Sequence, residues 1–239
     1  MRAMILAAGE GRRLRPLTES LPKPMITVGG RPILEHNVRL LARHGVREIV
    51  INLHHCPHVI TEYFGDGHAW GVTITYSYEP ILLGTAGAVK KMAPLFSDTF
   101  LVIYGDNLTT CDITKLCIFH KRKAGVGTVA LFRREDTASS GIADLAEDDR
   151  ITRFVEKPQP HKVFSHWVNA GLLVLEPDVL NYIPSDRPSD FGRDILPALI
   201  KAGRPLYGYR MEDGLWWIDT LEDYWRLQQL AEKGGLNLP

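Results

Sequence analysis

Through the first half of the chain, short runs rich in β-branched and apolar residues alternate with stretches whose apolar positions recur at helical spacing. The apolar runs predict strands over residues 3–7, 48–53, 73–78 and 100–104. Between them, Ile33, Leu34, Val38 and Leu41 share one helical face, and Ala86, Val89 and Met92 mark a second, short helix. Such alternation is the pattern of an α/β protein with a doubly wound sheet, whose ligands sit beyond the carboxyl ends of its strands. The second half changes character: residues 128–132, 151–155 and 168–175 read as strands joined by turn-rich connections, with a helical stretch from Arg193. This predicts a small mixed-sheet extension on the same core. No fixed-period repeat, hexapeptide β-helix pattern, low-complexity linker or charge run marks a boundary, so one domain is expected over residues 1–239.

Composition narrows the function classes. A chain of 239 residues, 45% hydrophobic and 23% charged, has the profile of a soluble globular protein that buries a sizeable core. Its formal net charge is +0, which leaves no general basic surface for nucleic acid; any phosphate must be held by a few placed groups. Cys56, Cys111 and Cys117 contain no CxxC pair, and the opening residues lack the pattern of a secretion signal, which points to a reducing, cytoplasmic location. No apolar run approaches the roughly 20 residues of a membrane helix.

The candidate chemistry begins where the first strand ends, at Leu6-Ala7-Ala8-Gly9-Glu10-Gly11-Arg12-Arg13-Leu14-Arg15-Pro16, followed by Pro22-Lys23-Pro24-Met25. Small residues allow close backbone approach, successive N–H groups can form an anion nest, and the arginines and Lys23 supply cations for phosphate oxygens. A triphosphate suits that combination. The dinucleotide fingerprint would need glycine where Leu14 stands, and the Walker A pattern is absent. The plainer alternative is an ordinary strand-to-loop turn with solvated arginines. Further along, Asp106 follows the apolar run FLVIYG, at a strand's carboxyl end, and a carboxylate there suits Mg²⁺. Asn169 lies within the apolar run VNAGLLVL, where a buried amide needs hydrogen-bond partners.

LAAGEGRRLRPLT followed by PKPM resembles the signature of the sugar-1-phosphate nucleotidyltransferases. LGTAGA, YGDN, FVEKP, VNAG and a late WID follow in the same order. The resemblance implies a Rossmann-like, doubly wound mixed sheet with a sugar-binding extension, and Mg²⁺-dependent transfer of a nucleotidyl group from a nucleoside triphosphate to a sugar 1-phosphate. It implies catalytic roles for Arg13, Lys23 and Asp106, and nucleotide contacts from Leu6, Ala7, Ala8, Gly9, Gly11, Gly84, Thr85 and Gly105. Asp219 would join Asp106 on the metal, and Gly141, Glu156, Lys157 and Asn169 would hold the sugar phosphate. The plainer alternative for Glu156-Lys157 is a solvated strand end with a surface ion pair. Two positions depart from the family pattern around the second aspartate: Leu215 and Leu221 stand where glycines are usual.

By analogy across the second half, GTP with mannose 1-phosphate is the preferred pair. The alternatives are dTTP or UTP with glucose 1-phosphate, cytidylyl transfer to a phosphorylated alcohol, and a silent nucleotide-sugar sensor; homo-oligomerisation stays open. Two clusters are set aside. His54-His55-Cys56-Pro57-His58 lacks a second ligand group at zinc spacing, and Trp216, Trp217, Tyr224 and Trp225 read as core or pocket wall because no basic residues interleave with them.

Overall fold

A computed structural model of the chain describes residues 1–137, 139–236 and 238. In chain order its elements begin with β1 (Arg2–Leu6), β2 (Thr27–Val28), β3 (Arg31–Pro32), α1 (Ile33–Arg43), β4 (Glu48–Leu53), α2 (Pro57–Phe64), β5 (Thr73–Tyr78), α3 (Gly84–Lys91), β6 (Phe100–Tyr104) and β7 (Asn107–Thr109). They continue with α4 (Ile113–Lys123), β8 (Gly127–Arg133), β9 (Gly141–Leu145), β10 (Ile151–Glu156), β11 (Trp167–Leu175), α5 (Leu196–Lys201), β12 (Leu206–Arg210), β13 (Leu215–Trp217) and α6 (Leu221–Glu232). The chain divides into two compact units, one made of residues 1–82, 103–111 and 213 onward, the other of residues 83–102 and 112–212. Among the described residues, no helix is long and apolar enough to cross a membrane.

In the first unit, β1, β4 and β5 lie side by side and parallel, with Leu6 opposite Asn52 and Ile49 opposite Ile74. Ala3, Met4, Ile5, Val50 and Ile51 are buried in succession, as strands covered on both faces require. Helix α1 buries Ile33, Leu34, Val38 and Leu41, the face read from the sequence. A satellite core joins segments from both ends of the chain: Leu14, Ile26, Val28, Ile33, Leu108, Ile218 and Leu227, with Trp216, Leu221 and Tyr224 packed against it. Helix α6 is docked there by a narrow stripe, Leu227 being its one fully buried residue. Its start is fixed by a capping box in which the Thr220 and Asp223 side chains each bond the other's backbone N–H.

The second unit carries a mixed sheet in the order β12-β8-β11-β9-β10, with β12 parallel to β8 and the other pairs antiparallel. The register of β11 against β8 shifts between Asn169 and Leu173, and Gly171 takes φ 76°. That kink keeps the Asn169 end of β11 from following the regular ladder. Helix α4 opens on Asp112, which accepts from the Lys115 N–H. It buries His120, whose Nδ1 and Nε2 lie 2.9 Å from Thr128 Oγ1 and 3.0 Å from Glu176 Oε1. The helix expected from Arg193 begins two residues earlier as a wide turn over Phe191–Ile195 and continues into α5.

The anchoring of α6 is directly testable. Leu227→Ala should lower the unfolding free energy of its unit by about 2–5 kcal/mol, whereas Trp225→Ala, on a residue 59% exposed, should change it by less than about 0.5 kcal/mol. Denaturant titration of the two variants measures both; equal losses would contradict docking through one stripe.

Candidate functional site

The parallel ladder ends at the pair Leu6 and Asn52, and the glycine-rich turn leaves the sheet there. Two bonds set that exit. Gly105 donates its N–H to Leu6 O at 2.9 Å, and Asn52 Oδ1 accepts the Ala7 N–H at 2.7 Å. A Cβ on Gly105 would stand 2.9 Å from both Leu6 O and Ile5 Cγ2, so that close approach needs glycine. Asn52 is buried, and its Nδ2 donates to Glu79 Oε1 at 2.8 Å.

Beyond Ala7 the turn is braced from below. Gly11 takes φ 62°, and a Cβ there would be 2.9 Å from Lys23 Cβ and 3.0 Å from Thr18 Cγ2. Thr18 Oγ1 donates to Gly11 O at 2.8 Å, and His55 Nε2 donates to Thr18 O at 3.0 Å. The histidine set aside from the sequence thus supports the loop, while His54 Nδ1 donates to Glu79 O at 2.7 Å. Gly9 differs from Gly11: a Cβ there would meet nothing within 4 Å. The fold does not demand a glycine at that position, whereas a ligand lying against the backbone would.

Lys23 stands on a short 3₁₀ turn between Pro22 and Pro24. Its Nζ donates to Asp106 Oδ2 at 2.7 Å and to Asp219 Oδ1 at 3.1 Å, and Arg13 Nη2 reaches the same Asp219 oxygen at 2.9 Å. The Lys23 side chain is only 8% exposed. Burial works against its charge, but the two carboxylates outweigh it, and the ammonium titrates above the ordinary lysine range. Distant aspartates meet because β13 pairs antiparallel with β7, Trp217 opposite Asn107; Asp106 and Asp219 flank the same end of that ribbon. The departures from pattern fit this geometry. Leu215 is buried in β13, a Cβ on Gly214 would collide with the Trp216 ring, and Leu221 packs on the satellite core. The Asp219 N–H donates to Asp223 Oδ2 at 3.1 Å, so the capping box also fixes the aspartate. Gly9, Gly11, Arg12, Arg13, Leu14, Lys23, Asp106 and Asp219 line one cleft of about 210 Å³.

The remaining sequence-derived residues lie in the second unit. Gly141 pairs with Glu156 across β9 and β10, and a Cβ there would come within 2.5 Å of Glu156 Oε2. Burial pushes the Glu156 carboxyl above its usual range, opposed by the nearby charges of Lys157 and Arg193 and aided by that of Asp190. Lys157 is exposed, donates its N–H to Ser140 O at 3.1 Å and holds φ 48°. A left-handed backbone at a non-glycine residue costs about 1–3 kcal/mol. Asn169 Oδ1 accepts the Gly171 N–H at 2.9 Å inside the β11 kink. Gly84, at φ 76°, and Thr85 open α3; the Thr85 N–H donates to Asp190 Oδ1 at 3.2 Å, and a Cβ on Gly84 would overlap Ser189 O.

Trp216 and Tyr224 pack on the satellite core, but Trp225 is exposed and is no part of that core. Sequence reasoning also missed Asn52, Thr18, Asp190 and Asp223. A polar residue inside the apolar run EIVINL was the available signal for Asn52, since a buried amide must be satisfied.

Residues 2–234 match the family model described as Nucleotidyl transferase. The chain belongs to the nucleotidyl transferase family. It is 37% identical over 95% of its length to a UTP–glucose-1-phosphate uridylyltransferase of Synechocystis and 36% identical over 94% to a mannose-1-phosphate guanylyltransferase of Mycobacterium tuberculosis. It spans 62% of the length of each of these relatives. Among solved structures, a Bacillus anthracis chain named as a candidate glucose-1-phosphate thymidylyltransferase, in complex with a sucrose, superposes with TM-score 0.88 at 26% identity. The alignment covers 97% of this chain and 95% of that one.

The exit from β1 yields a prediction. Asn52→Leu removes the acceptor of a buried N–H and should cost about 1–3 kcal/mol, with faster hydrogen exchange at the Ala7 amide. Asn52→Asp retains the acceptor but faces Glu79 with a second carboxylate, so it should keep Ala7 protected at pH values where that pair holds a proton and lose protection as the pH rises. Unchanged Ala7 exchange in Asn52→Leu would contradict the assignment.

Proposed function

We propose that this nucleotidyl transferase joins a sugar 1-phosphate to the α-phosphate of a nucleoside triphosphate and releases pyrophosphate, residues 1–239 together supplying the catalytic domain. The observation that carries this reading is the buried Lys23 ammonium held by Asp106 and Asp219 beside the open backbone at Gly9. An anionic ligand with several charges suits the cations and backbone of that cleft, and a divalent ion suits its carboxylates.

Asp106 and Asp219 present hard oxygens to one point, since both lie within hydrogen-bond distance of the same nitrogen. Among the described residues no third Asp, Glu, His or Cys completes a metal cluster. Two carboxylates with the shell otherwise left to water and phosphate oxygens are what Mg²⁺ accepts. When bound, Mg²⁺ would neutralise phosphate charge and polarise the phosphate oxygens.

The chain's own groups divide the remaining work. Backbone from Leu6 to Gly11 takes the triphosphate, with Gly84, Thr85 and Gly105 as further nucleotide contacts. Arg13 and Lys23 neutralise the pyrophosphate as it leaves. Glu156 accepts from sugar hydroxyls, Lys157 pairs with the sugar's phosphate, and Gly141 and Asn169 complete that subsite. A phosphate oxygen of the sugar 1-phosphate attacks the α-phosphorus in line while the bond to the β-phosphate oxygen breaks. Both nucleophile and leaving group are anionic at neutral pH, so no residue has to exchange a proton; alignment and charge neutralisation carry the rate.

GTP with mannose 1-phosphate is the preferred pair, supported by FVEKP and VNAG and by the Mycobacterium tuberculosis relative. The Synechocystis relative favours UTP with glucose 1-phosphate as the second reading. The three cysteines, Cys56, Cys111 and Cys117, with no CxxC pair among them, suit a reducing, cytoplasmic setting.

A matrix of nucleoside triphosphates against sugar 1-phosphates with Mg²⁺, read by pyrophosphate release, tests the reaction. GTP with mannose 1-phosphate should give the highest kcat/KM. Highest activity with UTP or dTTP and glucose 1-phosphate would overturn the substrate pair alone. Binding of a nucleotide sugar with no release from any pair would replace the enzyme by a sensor. Asp106→Asn should keep the fold and lower turnover by at least about a hundredfold; near-normal turnover would remove Asp106 from the metal.

A further inference from the structure

The segment Ser189–Arg193, which leads into α5, touches two places in the second unit. At one end it closes on the start of α3. The Ser189 N–H donates to Leu83 O at 2.9 Å, and Ser189 O accepts from the Ala86 and Gly87 N–H groups at 2.9 and 3.1 Å. Asp190 Oδ1 accepts from both the N–H and Oγ1 of Thr85, each at 3.2 Å. Thr85 Oγ1 in turn accepts the Phe191 N–H at 2.9 Å. The first donors of α3, which a helix leaves without internal partners, are therefore taken by this segment. The contact is also steric: a Cβ on Gly84 would overlap Ser189 O.

Two residues further on, the same segment meets the Glu156 carboxylate. A Cβ on Gly192 would overlap Glu156 Oε2, and a Cβ on Gly141 would crowd the same oxygen from β9. The carboxylate therefore lies in a slot that exists because both residues lack side chains. Gly192 has no left-handed φ to explain it, so room for the Glu156 carboxylate is what requires glycine there.

We propose that Ser189–Arg193 is a positioning element shared by both substrates: Asp190 sets the Gly84–Thr85 turn for the nucleotide, and Gly192 sets the Glu156 carboxylate for the sugar 1-phosphate. This rests on the roles proposed above for Gly84, Thr85 and Glu156 and adds two residues that act through them. Neighbouring positions on one segment should then affect different substrates. A segment serving only stability would show no such division.

The test uses the full chain and the substrate pair with highest turnover. Asp190→Ala removes the acceptor of both Thr85 groups and should raise the KM for the triphosphate about tenfold while leaving that for the sugar 1-phosphate within about twofold. Asp190→Asn retains Oδ1 and should restore most of the loss. Gly192→Ala meets the far end of a flexible side chain rather than backbone, so the carboxylate should yield. The KM for the sugar 1-phosphate should rise about tenfold, with little change for the triphosphate.

In a Glu156→Ala background the collision is gone, so adding Gly192→Ala should change neither KM nor melting temperature further. This double variant also covers the case in which Gly192→Ala alone misfolds. Both single variants shifting the same KM, neither shifting any, or a further loss from Gly192→Ala without Glu156 would each overturn the proposal. Wild-type protein that releases no pyrophosphate would instead sink the enzymatic reading. Calorimetric titration with triphosphate and with sugar 1-phosphate separately would then give the same split as dissociation constants, or its absence.

Discussion

A single ammonium, Lys23 Nζ, holds together the part of the molecule on which the proposed chemistry depends. Removing a charge of this kind from water costs several kcal/mol unless partners compensate. Here two carboxylates from distant parts of the chain do so at 2.7 and 3.1 Å. The ion pairs make sense only because each carbon skeleton is already fixed. Pro22 and Pro24 restrict the backbone around Lys23, the Gly105 contact with Leu6 places Asp106, and the Thr220–Asp223 capping box places Asp219. The arrangement is preorganised: the fold fixes each charged group from its own side.

Glycines around the site separate into two kinds, and the distinction bears on function. Gly11 and Gly105 are demanded by the fold, the first by its left-handed backbone and both by crowding. Gly9 is demanded by neither. In the second unit, Gly141 and Gly192 leave space for one carboxylate, and Lys157 beside it holds a strained backbone. Space and strain kept around a charged group indicate constraints beyond packing.

The histidines after β4 show how local chemistry misleads when tertiary partners are unknown. His54, His55 and Cys56 crowd together in sequence as metal ligands do. In the folded chain His54 and His55 bond different backbone carbonyls, those of Glu79 and Thr18. Through Thr18, His55 braces the glycine-rich turn. Trp225 is the opposite case, an aromatic residue that its neighbours made look like core and that stands on the outer side of α6, because the helix needs only a narrow stripe to dock.

By itself the sequence determined the strands with continuous β-branched runs. β4, β5 and β6 match their expected bounds, and β1, β8, β10 and β11 differ by a residue at one end or both, because burial on both faces leaves an unbroken apolar signal. It also determined the identity of Arg13, Lys23, Asp106 and Glu156 as candidates, since each sits in a short local motif. The polar α4 and α6 and the short β9, β12 and β13 were not legible: a helix that buries one stripe, or a strand of three to five residues, takes its stability from what it packs against. Only the tertiary structure decided that Asp106 and Asp219 share Lys23, that Asn52 closes β1, that Asp190 bonds Thr85, and that Gly192 leaves room for Glu156. Those relations are distances between residues remote in the chain, and neither residue type nor spacing encodes them until strand pairing such as Trp217 with Asn107 has brought the segments together.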